Sequence, residues 1–143
     1  MARTYANDPL QKFKFRVSIP GLSPALGFQK ASGLRREVGV VEYREGGFDH
    51  THKLVGQEVV EPVVLERGTY ASQDLYQLYK QTLTNPSFRT TVTIEQLDKQ
   101  GRVARKWVLA EAWVKSWESS DLDAESEDVA IEKIEIEFEH FLD

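Results

Sequence analysis

The sequence predicts a mainly β fold: an antiparallel β-sandwich or barrel with one flanking α-helix and a long β-hairpin arm. Three observations carry that expectation. Apolar and polar residues alternate in runs near residues 12–19, 33–43, 88–97, 103–117 and 129–141, the period of half-buried strands. One stretch alone, residues 72–84, follows the helical period. Turn-forming Pro, Gly, Asn and Asp clusters separate the runs, as antiparallel connections require. At 143 residues the expectation is a single domain over 1–143, long enough to bury a real core. Residues 1–10 are expected as an N-terminal arm and 44–58 as the hairpin arm.

Residues 1–10 have little periodicity, and Pro9 disfavours regular structure just before it. They also lack the apolar core of a signal peptide, so secretion by that route is not expected. Phe13, Phe15, Val17 and Ile19 then alternate with Lys12, Lys14, Arg16 and Ser18 in a first strand that ends at Pro20-Gly21. The centre of the chain reads as a hairpin with strands at 33–43 and 59–65 around a polar segment holding Gly46, Gly47 and Gly56. Alternation is clear at Val38 and Val40 but blurs at Val41 and Tyr43, which predicts burial of both faces. A tip this long is unusual inside a compact domain, so it is expected to reach another subunit. Pro62 cannot donate to a ladder and implies an edge or a bulge in the second strand.

The helix is expected to start at Ser72 as cap, with Asp74 in its first turn and Leu75, Leu78, Tyr79, Thr82 and Leu83 on one face. Asn85-Pro86 ends it. Strands 88–97 and 103–117 meet at the turn Asp98-Lys99-Gln100-Gly101. The second places Trp107, Leu109, Trp113 and Trp117 on one face and Val108, Ala110, Ala112 and Val114 on the other, predicting burial on both sides. The last strand, 129–141, directs Ile134, Ile136 and Phe138 one way and Lys133, Glu135, Glu137 and Glu139 the other. Val129 and Ile131 are out of phase with that set, which predicts a bulge near Glu132.

Composition narrows the function. There is no cysteine, which excludes disulfides, thiolate catalysis and Cys-based zinc sites. No run approaches the ~18 apolar residues of a membrane span, so no membrane anchor is expected. The net charge of −5 is strongly segregated: residues 1–117 hold 17 Lys/Arg and 12 Asp/Glu, whereas 118–143 hold one Lys and 11 acids. An acidic face that meets a basic face on a neighbour is one expectation from such asymmetry. Phosphate-loop, nucleophile-elbow and HExxH patterns are absent. His50 and His52 supply at most two metal ligands without obvious partners; two exposed polar residues is the plainer reading. The Glu135, Glu137, Glu139 row offers uniform rather than contrasting carboxylate environments, unlike a hydrolase pair. No catalytic, cofactor or metal site is expected. Lys12, Lys14 and Arg16 face away from Phe13 and Phe15, so they do not form a nucleic-acid stacking platform.

Four blocks resemble one family. Ala31-Ser32-Gly33-Leu34, Glu42-Tyr43-Arg44-Glu45-Gly46-Gly47, Lys53-Leu54-Val55-Gly56 and Val64-Leu65-Glu66-Arg67-Gly68 are, in order and spacing, similar to the tail tube proteins of contractile bacteriophage tails and phage-tail-like particles. Asp8-Pro9-Leu10 through Ile19 and residues 128–136 extend the resemblance over nearly the whole chain. Glu66-Arg67-Gly68 departs from the family's frequent Lys-Arg-Gly. The resemblance implies hexameric rings whose sheets join into one barrel, stacked as a rigid inner tube that penetrates the target envelope and conducts phage DNA. It implies assembly in the host bacterial cytoplasm into the virion tail. Its partners would be further copies of the chain and the sheath, baseplate, tape-measure and tail-terminator proteins, with DNA passing unbound. Arg44, Glu45, Gly46, Gly47, Phe48, Lys53, Leu54 and Gly56 are then expected as the inter-subunit arm, and Glu135, Glu137 and Glu139 as lumen lining. A type VI-like secreted tube and a monomeric ligand-binding β-barrel are the alternatives.

Overall fold

The computed structural model describes residues 10, 14–22, 27–69 and 73–143. Nine strands and one helix follow in the order β1 (Phe15–Ser18), β2 (Lys30–Ser32), β3 (Arg36–Tyr43), β4 (His52–Val60), β5 (Val63–Gly68), α1 (Asp74–Thr84), β6 (Thr90–Leu97), β7 (Val103–Ser119), β8 (Ile131–Glu137) and β9 (His140–Leu142). All pairings are antiparallel. Seven strands form one sheet in the path β1-β6-β7-β8-β5-β2, with β9 on β7; β3 and β4 form a separate two-stranded ribbon.

The sheet is open, and β7 is its hinge. Its first half pairs with β6 and β9 and its second half with β8. The inner faces of β5, β6, β7 and β8 share one core with Leu75 and Leu78 of α1 and with Phe138 and Phe141, so the sheet curls around that core. Two extra residues on β7 reset its alternation. Thr90 opposes Ala112 while Val92 opposes Leu109, with Glu111 at φ 54° between them. Val114 opposes Ile136 while Ser116 opposes Glu135, which leaves Lys115 over. Core-facing residues therefore run Leu109, then Ala112 and Val114, then Trp117. The expectation of two apolar faces is corrected: bulges switch which parity of residue points inward.

Other boundaries also move. β3 pairs with β4, which takes in only Val59 and Val60 of the expected 59–65, and β5 belongs to the large sheet. Pro62 lies in the two-residue link between β4 and β5. The last strand breaks after Glu137, so Glu139 sits in the bend before β9. β8 pairs with β5 without a shift from Ile131 to Ile136, so there is no bulge near Glu132. The helix buries Leu75 and Leu78 but leaves Leu83 largely exposed. Ser72, Phe13, Lys12 and nearly all of the expected N-terminal arm lie outside the described residues. Among the described residues, no helix is long and apolar enough to cross a membrane.

Candidate assembly site

The ribbon β3–β4 stands apart from the core. Its strands register from Arg36↔Val60 to Tyr43↔His52 and extend roughly 27 Å at strand rise. Beyond its root, where Val60 packs against the core and Arg36 lies over Phe141, neither strand packs appreciably on another described element. Val41, Leu54 and Val59 are exposed on one face, and Val38, Val40 and Val55 on the other, all more than half exposed. Both faces are apolar, as the blurred alternation suggested, yet the single chain buries neither. An isolated two-stranded ribbon is marginal in water, and an apolar surface on this scale marks an interaction site.

Local chemistry explains why the ribbon nevertheless has a defined shape. At its root Gly33 adopts φ +89°, and a Cβ there would lie 2.5 Å from the Pro62 carbonyl oxygen. Only glycine satisfies both demands. Arg35 pairs with Glu37 and Glu61 at 3.0 and 2.9 Å. Arg36 donates to Asp143 at 2.7 Å and to Glu58 at 3.0 Å, and its guanidinium lies over Phe141. Asp143 and then Glu58 raise the Arg36 pKa further above its ordinary range, and Arg36 holds the Asp143 carboxyl below its own. Midway, Gly39 and Gly56 face each other at a bulge, where a Cβ on Gly56 would meet the Gly39 carbonyl at 3.0 Å.

At the tip four rings collect. Tyr43 stacks on His52 at 4.8 Å, Phe48 meets His52 edge-on at 5.1 Å, and His50 lies 5.3 Å from His52. The HxH pair thus serves an aromatic cap. Of the expected arm residues, Arg44, Glu45, Gly46, Gly47 and Phe48 form the exposed tip, with Phe48 N–H donating to the Glu45 carbonyl at 3.3 Å. Lys53, Leu54 and Gly56 belong to the paired strand β4. The non-strand arm is therefore residues 44–51, shorter than 44–58, because cross-strand pairing continues to Tyr43↔His52.

Glu135 and Glu137 share the outer face of β8, and the Lys115 ammonium lies 3.8 and 3.9 Å from them. Lys133 pairs with Glu118 at 3.5 Å. The row is therefore two glutamates moderated by lysines, without Glu139, which the strand break turns out of it. On the inner face, Arg67 is fully buried between Asp74 and Glu132, and Glu132 also accepts from Trp117 Nε1 at 3.1 Å. Sequence reasoning missed this group. The signal was parity: Arg67 follows Val63 and Leu65, Glu132 precedes Ile134 and Ile136, and the two are register partners. β1 and β2 border a groove of about 530 Å³ lined by Phe15, Ala31, Leu34, Ile94 and Trp107.

Comparison with known proteins gives a consistent picture. The family model described as T4-like virus tail tube protein gp19 matches residues 11–142. A chain of the anti-feeding prophage (AFP) baseplate, 6-fold symmetrised, is 26% identical, covering 95% of each chain, with a TM-score of 0.79. A chain of the PVC sheath–tube complex in its extended state, from an extracellular contractile injection system, is 22% identical. The match covers 96% of this chain and 93% of that one, with a TM-score of 0.83. Hcp1 from Flavobacterium johnsoniae shares the fold at 12% identity, with coverage of 88% and 90% and a TM-score of 0.52. No curated protein matches in sequence.

Proposed function

The chain belongs to the T4-like virus tail tube protein gp19 family, and from that premise we propose that it forms hexameric rings stacked into the inner tube of a contractile particle. Its role is structural, not catalytic. The observation that carries the proposal is the ribbon: a preformed β3–β4 element with exposed apolar residues on both faces, which favours cover on two sides at once. Neighbouring subunits of a ring and of the next ring supply two such sides. Arg44, Glu45, Gly46, Gly47, Phe48, Lys53, Leu54 and Gly56 make up its distal half. Among the described residues the open sheet ends in two unpaired edges, β1 and β2, and edges left uncovered invite pairing with another copy.

Related chains come from a sheath–tube complex and a baseplate; equivalent sheath, baseplate, tape-measure and terminator proteins are the partners we assign here, with assembly in a bacterial cytoplasm. Glu135 and Glu137 are placed on the lumen wall, where a negative lining would let DNA pass without the phosphate contacts that slow it. The likeness to Hcp1 is one of fold alone, so a secreted type VI-like tube is the second reading.

Size-exclusion chromatography with light scattering, followed by negative-stain microscopy, tests the proposal. Rings or hollow tubes are the expected result. A stable monomer at all concentrations would overturn it and favour a ligand-binding barrel with the β1–β2 groove as its site.

A further inference from the structure

β7 begins and ends in opposite charge. Around its start, at the β6–β7 turn, Lys99, Arg102, Arg105 and Lys106 are exposed. Lys14 and Arg16 join them from the β1 side: Leu97 N–H donates to the Lys14 carbonyl at 2.8 Å, and Lys14 Nζ to the Lys99 carbonyl at 3.3 Å. Among the described residues, Glu95 moderates Arg16 at 2.8 Å and Asp98 moderates Arg102 at 3.6 Å. At the other end Glu118 leads into a loop carrying Asp121, Asp123, Glu125, Glu127 and Asp128, all exposed. Lys133, 3.5 Å from Glu118, moderates that end.

The ends belong to one strand of 17 residues, on the order of 50 Å long when fully extended. Salt screens charge within about 8 Å under physiological conditions, so the two patches do not neutralise each other inside one chain. Like ends repel, which disfavours face-to-face pairing. Unlike ends attract, and a contact between different patches of identical copies propagates as an open stack. A nucleic acid would satisfy the basic end but leave the acidic end without a role; a second copy satisfies both. We propose that the Lys99–Lys106 end of one copy docks against the 118–128 end of the next, making this charge pair an axial contact between layers, beside that of the ribbon. The proposal takes from the tube reading that copies stack; the pairing itself rests on the charges.

Two variants test it. Arg102→Glu with Arg105→Glu and Lys106→Glu makes both ends acidic, and Asp121→Lys with Asp123→Lys, Glu125→Lys and Glu127→Lys makes both basic. Each alone should lose about tenfold or more of its pelletable tubes, since like-charge juxtaposition costs several kcal/mol. Mixing the two should restore co-sedimenting stacks, and wild-type stacks should shorten between about 50 mM and 500 mM salt. Full-length tubes from either variant alone, or no rescue on mixing, would overturn the charge contact while wild-type tubes leave the tube reading intact. If wild type forms neither ring nor tube, the tube reading fails, and co-sedimentation of the mixture still decides the pairing. If either variant unfolds by circular dichroism, salt-insensitive wild-type stacking overturns the contact. Wild-type binding to duplex DNA that the acidic variant loses, with no rescue on mixing, would assign the basic end to nucleic acid instead.

Discussion

Arg67 reaches no solvent and is held by Asp74 at the helix start and Glu132 on the neighbouring strand. It ties α1 to the sheet. Removing one member of a buried ionic group leaves the others uncompensated, which costs about 3–5 kcal/mol, whereas replacing the group by apolar side chains is far milder. Glu132→Ala should therefore lower stability by roughly that amount in urea denaturation, and Arg67→Met combined with Asp74→Leu and Glu132→Leu should lose much less. The Asp74 carboxyl reports the same group through pH. Desolvation pushes its pKa up, but the Arg67 hydrogen bond and charge, with the Leu75 N–H, outweigh it and leave the pKa lowered. A lowered carboxylate pKa stabilises the fold above the unfolded value near 3.9 and loses that contribution as pH falls through the folded one. Asp74→Asn should accordingly flatten the loss of stability below about pH 4. Exposed Asp98 and Asp143, whose pKa values are also lowered, retain part of the slope. Gly33 is constrained by its backbone instead: Gly33→Ala meets both a left-handed φ and the Pro62 carbonyl, and should destabilise by about 1–3 kcal/mol.

At the scale of elements, the ribbon and β7 show opposite uses of irregularity. β7 uses Glu111 and Lys115 to keep an apolar face on a curled core. Glu111→Gly should be neutral or slightly stabilising, because glycine tolerates φ 54°. Glu111→Val should destabilise by about 1–2 kcal/mol, since a β-branched residue resists that conformation. The ribbon keeps its apolar side chains outside. Leu54→Lys with Val55→Glu should leave monomer unfolding within about 0.5 kcal/mol of wild type, as exposed substitutions do, yet abolish ring or tube formation. Residues 44–51 lie outside the ladder and 44–50 are exposed, so their amides should exchange quickly in the monomer and slowly in the assembly. Equal protection in both states would count against an assembly role for the tip.

For the whole molecule, assembly and stability are linked. A ring binds the folded chain and not the unfolded one, so thermal stability should rise with protein concentration; a concentration-independent transition would speak against self-association. The lumen assignment has its own test. Glu135→Lys with Glu137→Lys adds to Lys115 and Lys133 on one face, and such tubes should retain DNA at low salt and release it as salt rises. Tubes that pass DNA normally but lose their sheath would place β8 on the exterior.

By itself, the sequence determined an antiparallel β fold with one helix, because those elements depend on local periodicity and turn chemistry. Helix α1 and the β6–β7 hairpin fall close to their expected places for that reason. It also carried the family blocks around the hairpin and the charge segregation. What it could not express is pairing. Whether 52–60 or 59–65 partners β3, and where β7 gains residues that reverse its faces, depends on ladders between segments distant in sequence. Charge alone argues for water at Arg67 and Glu132; only the register that sets them opposite each other, with Asp74 brought over by the helix, makes their burial possible. The exposed ribbon is the reverse case, with core-like residues that no second layer among the described residues covers.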